Sequence, residues 1–396
     1  MRVLHAIGGL EQRTGGTARI AVSLCEALHR QGIETDLIAT VIARSGAELV
    51  DFNGIADHVH LFERKNIERF TFSLPLKHWV SKHIQNYDLV HIHGLFSYSG
   101  YTTAAIARKA NVPYIVAPHG MLEPWAFAHK PRRKALGFQL VEKKNLVHAA
   151  ALNATSSPEI RSIRDRCPHS RIRFIPNGIS TEVFDQLPEP QLFYEKFPQT
   201  HGKDLLLFLG RIDPKKGLDL LAPAFAHLRR KFPNTHLIVA GPDGIGYLET
   251  AKQFFVEANC LEHVTFTGNL SGSLKHAALS AATAYIAPSY SEGFSVSVLE
   301  GMAAGLPCII TTGCNFPEAQ SEKAAYVVEI NAEAIADALI NCFSDLQAAK
   351  LLGQRARQLI LNRYTWDQVA IQMMDLYREI LAKPSQPSSL KLVDAL

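Results

Sequence analysis

Short apolar runs alternate along this chain with stretches of helical period. RVLHAI leads through a glycine-containing loop into TARIAVSLCEALHRQ, where Ile20, Leu24, Ala27 and Leu28 form one stripe and Gly32 closes the helix. IETDLIAT, YDLVHIHG and VPYIVAPHG read as further strands, with a helix near Thr102–Ala110 between the last two. Two more short strands are expected near Ala149–Thr155 and Arg173–Pro176. The alternation breaks over 184–203, which holds Pro188, Pro190 and Pro198, and resumes with DLLLFLG, THLIVAG and HVTFTG. Strand–helix alternation of this kind predicts an α/β chain of two successive doubly wound, Rossmann-like domains. The expected division is 1–183, a linker at 184–203, a second domain at 204–365, a helix at 366–383 and a flexible tail at 384–396. Thr365 and Gln368 give that last helix a capping-box spacing.

One element departs from an ordinary pattern. TAYIAPS, SEGFSVSVLEGMAAGLP and CIITT read as strand, loop, short helix and strand. Val296, Val298, Leu299, Met302 and Ala303 cover most of that helix, which predicts burial nearly all round, yet it carries Glu300, with Glu292 just ahead. A buried ionised carboxylate needs donors, either from the protein or from a ligand.

Length and composition narrow the class. The chain has 396 residues, too many for one core, and 47% hydrophobic with 20% charged residues is ordinary for a globular protein. A net charge of +4 gives no case for nucleic acid. The apolar start ends at glycines and reads as a strand and not a signal peptide. No run reaches the length of a membrane span. Cys25, Cys167, Cys260, Cys308, Cys314 and Cys342 lack metal-ligand spacing and suit reduced thiols, so a cytoplasmic location is expected.

In open α/β sheets, ligands bind beyond the carboxyl ends of strands, and four loops there carry chemistry. GGLEQRTGG (8–16) places glycines, Gly16 last, before a helix N-terminus; Asp36 invites a dinucleotide reading, but the G-x-G-x-x-G spacing is missing. APHGMLEPW puts His119 at a strand end, where imidazole can be acid, base or donor. His91 and His93 share a face of a nearby strand and raise a metal question, with no third ligand in view. GRIDPKKG brings Arg211 and Lys216, a guanidinium and an ammonium suited to a diphosphate or simply to solvent. In SEGFS the N–H groups of Gly293, Phe294 and Ser295 can face an anion, with Glu292 beside them.

Taken together, TGG before the first helix, PHG, IPNGI (175–179), GRIDPKKGLDLL (210–221), AGPDG (240–244) and PSYSEGFSVSVLEGMAAGLP (288–307) resemble the retaining glycosyltransferases of family 4. The resemblance implies a GT-B fold, two Rossmann-like domains facing each other across a cleft. It implies that Glu300 meets the ribose of a nucleotide-sugar and Glu292 the sugar hydroxyls. Arg211 and Lys216 would neutralise the diphosphate, Gly16 would admit the phosphates, and His119 would stand near the reacting sugar. A hexosyltransferase retaining configuration is implied, with a UDP- or GDP-sugar donor and a glycan or lipid-linked acceptor in surface polysaccharide synthesis. No Asp-x-Asp pair occurs, so no metal or other cofactor is expected. A sugar-nucleotide epimerase and a non-catalytic scaffold subunit are the alternatives.

Two local features remain. Pro223 inside LDLLAPAFAHLRR should kink that helix or delay its start. The segment 129–145 holds six basic residues and one acid, Glu142, with Leu136, Phe138, Leu140 and Val141 alongside. This predicts either a peripheral contact with an anionic membrane or acceptor, or a solvated helix whose apolar side faces the core.

Overall fold

The central strands are runs of wholly buried residues, such as LVHIH, YIVA, THLIVA and CIIT, and continuous burial is the mark of a parallel sheet covered on both faces. The computed structural model describes residues 1–11, 16–42, 48–64, 72–123, 135–167 and 171–382. It divides into two units, one of residues 1–175 and 369–396, the other of residues 176–368.

The first unit holds seven parallel strands, β1 (Arg2–Ile7), β2 (Glu34–Val41), β3 (Val59–Glu63), β4 (Leu89–His93), β5 (Tyr114–Ala117), β6 (Ala151–Ala154) and β7 (Ile172–Phe174). Their order is β3-β2-β1-β4-β5-β6-β7. The second holds β8 (Asp204–Leu209), β9 (Thr235–Ala240), β10 (Val264–Gly268), β11 (Ala284–Ala287), β12 (Cys308–Thr311) and β13 (Tyr326–Val328), in the order β10-β9-β8-β11-β12-β13. Each is doubly wound, with its order reversing between β1 and β4 and between β8 and β11.

Period-2 alternation sends successive side chains to opposite faces. Leu205, Leu207 and Leu209 enter one core with Tyr285, Leu299 and Met302, while Leu206 and Phe208 enter the other with Phe225 and Ile286. In the first unit, Leu4 and Ala6 pack with Val90 and Ile92, whereas Ile7 packs with Leu37 and Ala39 beside the first helix, Gly16–Arg30.

Two expectations need correction. The segment expected as a linker overlaps the helix Glu182–Asp185 and contains the helix Gln191–Lys196, and Phe184 and Phe193 are buried in the second unit's core. Its prolines sit at turns and a helix start, where they do not prevent packing. The helix with Pro223 starts at Leu218 and runs unbroken to Lys231. Pro223 lies on its exposed side. Glu142, the acid of the basic segment, is buried and accepts from Phe96 N at 2.6 Å, so it offsets no surface charge. Residues 129–134 of that segment lie outside the described residues; beyond them Phe138 and Leu146 face the core and Leu136 is exposed. The capping spacing is realised, with Gln368 N donating to Thr365 Oγ1 at 3.2 Å. The six cysteines are buried free thiols. Among the described residues no helix is long and apolar enough to cross a membrane.

Candidate active site

In the second unit, β8 and β11 are neighbours at the reversal of strand order, so the loops that leave them emerge side by side. The first holds a single turn, Pro214–Lys216, capped by Asp213, whose Oδ1 accepts from Lys215 N at 3.1 Å. It closes on Gly217 at φ +71°, where an added Cβ would stand 2.0 Å from Pro288 O. Only glycine permits both the backbone angle and that approach. Tyr290 N donates to Lys215 O at 2.8 Å, which ties the two loops together.

This junction brings Lys216 onto Glu292. Both are buried, and the ammonium donates to Glu292 Oε1. Ser289 Oγ donates to the same oxygen at 2.8 Å. The Glu292 backbone is clamped as well, its N–H on Gly313 O at 2.8 Å and its carbonyl accepting from Asn315 Nδ2 at 2.6 Å. The carboxylate is thus paired and aimed, with Oε2 unpartnered among the described residues. Arg211 extends from the same loop as an exposed side chain anchored by the buried Ile212.

The helix Val296–Ala303 starts after Ser295, as the sequence suggests, but it is not buried all round: Val296 is 40% exposed. Gly301 lets it lie on the Tyr285 ring, where a Cβ would come within 2.7 Å. Glu300 is partly exposed and already has a protein partner, Lys275 Nζ, at 2.5 Å from Oε1. Lys275 sits on the helix Gly272–Ala281, in a stretch whose periodicity gives a lone lysine no distinction. Sequence reasoning missed it, as it missed Ser289. The N–H groups of Gly293, Phe294 and Ser295 meet no protein acceptor among the described residues. Phe294's ring instead packs on Phe316 and Tyr364.

In the first unit, β5 ends at Ala117 and the chain turns through His119 at φ +53° and Gly120 at φ +76°. Glu159 holds this turn: fully buried, it accepts from Gly120 N at 2.6 Å, Thr155 N at 2.7 Å and Thr155 Oγ1 at 2.8 Å. His119 Nε2 lies 3.2 Å from His93 Nδ1, and His93 Nε2 lies 3.0 Å from His5 Nδ1. Burial pulls His119 down to about 4 and His5 to about 3, so these rings are neutral near pH 7. His91 Nδ1 meets the Tyr377 hydroxyl at 2.8 Å.

His5 is the third histidine that the sequence did not supply. It pairs with His91 across β1 and β4, and nitrogen atoms of His5, His91 and His93 lie within 4.8 Å of one another. Aligning the two strands would have found it, since i, i+2 spacing already put His91 and His93 on one face. Gly16 opens its helix and, its chain neighbours and own helix backbone aside, no described residue lies within 4 Å of where a Cβ on it would stand; residues 12–15 of its loop lie outside the described residues. Asp36 serves the structure: it accepts from Tyr87 at 2.6 Å and Arg2 at 2.9 Å, with His58 at 3.2 Å.

Residues 14–183 match the family model "Glycosyltransferase Family 4", and residues 192–359 match "Glycosyl transferases group 1". The chain belongs to the family 4 glycosyltransferases. This glycosyltransferase is 27% identical over 220 residues to a GDP-mannose-dependent alpha-(1-6)-phosphatidylinositol monomannoside mannosyltransferase of Mycobacterium tuberculosis, a match over 53% of this chain and 57% of that protein. It is 24% identical to the GDP-mannose:cellobiosyl-diphosphopolyprenol alpha-mannosyltransferase of Xanthomonas oryzae, over 97% and 98% of the two chains. Among solved structures, Anabaena HepE in complex with UDP and glucose superposes with a TM-score of 0.73 at 17% identity, over 96% of this chain and all of that one. At that identity the likeness shows the fold, which is GT-B.

Proposed function

We propose that this glycosyltransferase moves a hexose from a nucleotide diphosphate donor to a glycan or lipid-linked acceptor, with retention of configuration and without a metal ion. The observation that carries the reading is the Lys216–Glu292 pair, set where the loops after β8 and β11 meet. An ammonium with N–H groups to spare, an exposed guanidinium and a helix N-terminus are the donor set for a diphosphate. Glu292 Oε2 and the second oxygen of Glu300 are acceptors suited to sugar and ribose hydroxyls.

As the bond from the anomeric carbon to the diphosphate breaks, its electrons go to the leaving oxygen. Arg211, Lys216 and the N–H groups of Gly293–Ser295 stabilise the charge that develops there. The acceptor hydroxyl attacks from the same face and passes its proton to the leaving phosphate. His119 assists at the sugar, and Gly16 lets the first helix approach the phosphates. The two named mannosyltransferases use GDP-mannose, which makes it the first donor to test, with a UDP-sugar as the contrast suggested by the ligand of HepE. Their acceptors carry lipid, which supports an acceptor of that class and a role in surface glycans.

Thermal unfolding with GDP- and UDP-sugars at millimolar concentration decides the donor. A micromolar ligand adds about 4 kcal/mol of stability under those conditions. The expected result is a rise for one base that Arg211→Ala reduces but does not abolish. Equal, negligible shifts with both, together with no sugar transfer in a product assay, would overturn the reading.

A further inference from the structure

Four imidazoles stand in a row on one face of the first sheet, and only His119 has a place in the chemistry above. His5 lies opposite His91 across β1 and β4, His93 two residues beyond His91, and His119 two residues past Ala117, which pairs with His93. His5 and His91 are fully buried and His93 is 2% exposed. Their nitrogens are paired mainly with one another. His5 Nδ1 meets His93 Nε2 at 3.0 Å, and His93 Nδ1 meets His119 Nε2 at 3.2 Å, with the His93 and His119 rings stacked 12° from parallel. The two ends of this chain, His5 Nε2 and His119 Nδ1, are buried nitrogens with no partner among the described residues.

We propose that His93 and His5 are positioning residues which hold His119 as the Nδ1–H tautomer, so that the nitrogen it turns away from the chain is a hydrogen-bond donor. The inference rests on the reading of His119 as the group beside the reacting sugar.

Proton counting leaves few arrangements. A neutral imidazole has one N–H, and each of the two contacts must contain one proton, neither none nor two. If His93 is protonated at Nδ1, it donates to His119 Nε2 and accepts from His5, and all three rings are Nδ1–H. If it is protonated at Nε2, all three are Nε2–H. Mixed states put two protons or two lone pairs in one contact. The choice between the uniform states is made at the ends. The Nε2–H state buries an unsatisfied donor at His5, whose ring is wholly enclosed. The Nδ1–H state leaves only a lone pair there and moves the donor to His119 Nδ1, a nitrogen that is also buried but belongs to a partly exposed loop residue, free to turn where the strand-bound His5 is not. An orphaned N–H is the rarer defect in proteins.

The neighbour of His5 favours the same state. The Tyr377 hydroxyl has His91 Nδ1 as its partner, and when it donates to that nitrogen the His91 proton lies on Nε2, which has no other acceptor among the described residues. The His5 ring lies 5.1 Å from the His91 ring, and a lone pair on His5 suits that N–H better than a second N–H would. Once the loop uncovers its Nδ1, a donor at His119 fits an oxygen of the bound sugar or the acceptor. It excludes His119 as the base that takes the acceptor proton, a task that falls to the leaving phosphate.

The test is nitrogen-resolved NMR of the full-length protein labelled at histidine, near neutral pH, with His119 assigned by loss of its signals in His119→Gln. The expected result is a protonated Nδ1 and a free Nε2 at His119, changing to Nε2–H in His93→Leu. His5→Leu serves as the second variant if His93→Leu does not fold. In transfer assays His93→Leu should lose about tenfold in kcat with nucleotide affinity unchanged. His93→Asn, which places an amide N–H near the Nδ1 position, should recover several-fold of that loss; a merely structural role predicts no such rescue. A protonated Nε2 at His119 in the parent, an unchanged tautomer in His93→Leu, or stoichiometric zinc held by His5, His91 and His93 would each overturn the proposal. The NMR experiment needs no substrate, so the tautomer can prove wrong while sugar transfer stands, and an absence of transfer would leave the measured tautomer unaltered.

Discussion

At the scale of single residues, buried charge decides what a substitution does. Glu142 is held up at about 7, first by burial, against hydrogen bonds from Phe96 N and Asn145 that favour its charged form. Its ordinary value is 4.5, so between those two pH values the unfolded chain ionises while the folded one keeps the proton. Stability from this group is therefore greatest below pH 4.5 and is lost as pH rises to about 7. Glu142→Gln removes that dependence. Denaturant unfolding at about pH 4.5 and about pH 7.5 should show the variant gaining about 3 kcal/mol on the parent between them. Arg211 and Lys216 are separated by the same logic. Either change to alanine should weaken donor binding by about 1.5–3 kcal/mol, the worth of a charge-assisted hydrogen bond. Lys216→Ala, however, strands a buried Glu292 with Ser289 alone and should also cost about 3 kcal/mol of stability, whereas exposed Arg211→Ala should stay within about 0.5 kcal/mol. Calorimetric titration and thermal unfolding of both variants check the pair of outcomes.

At the scale of elements, Gly217→Ala tests the junction between the two loops. Its Cβ would meet Pro288 O at 2.0 Å from a left-handed backbone, so loss of more than about 2 kcal/mol and weakened nucleotide binding are expected from unfolding and titration curves. How much of this was legible follows from where the signal resides. Strand burial is written in runs such as DLLLFLG, and loop chemistry sits at strand ends, so the doubly wound order and the Lys216 and Glu292 loops were open to reading. Partners that meet only through tertiary packing left no periodic trace. Lys275 reaches Glu300 from another helix, and Glu159 reaches the His119 turn from beyond β6. His5 hid inside an apolar strand because its register with β4 is a fact of pairing, not of spacing. Prolines between 184 and 203 overstated a linker, since proline marks turns without saying whether Phe193 is buried between them.

At the scale of the molecule, the side chains proposed to hold the donor lie in the second unit, and His119 in the first with Gly16. His119→Ala should therefore leave calorimetric binding of free nucleotide within about twofold of the parent while transfer falls sharply; lost binding in a folded variant would place it in the nucleotide pocket. Transfer should also survive chelation by EDTA, measured as product formed, because Arg211 and Lys216 supply the positive charge. The division of the chain has a consequence for how the protein is made. The first unit is discontinuous, leaving off at Ile175 and resuming at Val369. Tyr377, fully buried and bonded to His91, belongs to that second piece. A ribosome adds about 5–20 residues per second, so the first sheet waits roughly 10–40 s for the helix that seals it. As that interval ends the second unit, residues 176–368, is complete and can fold around its own core, while the first has held an apolar seat open. Nascent chains stalled before residue 369 should therefore be bound by chaperones through residues 1–175 and released once the last helix emerges.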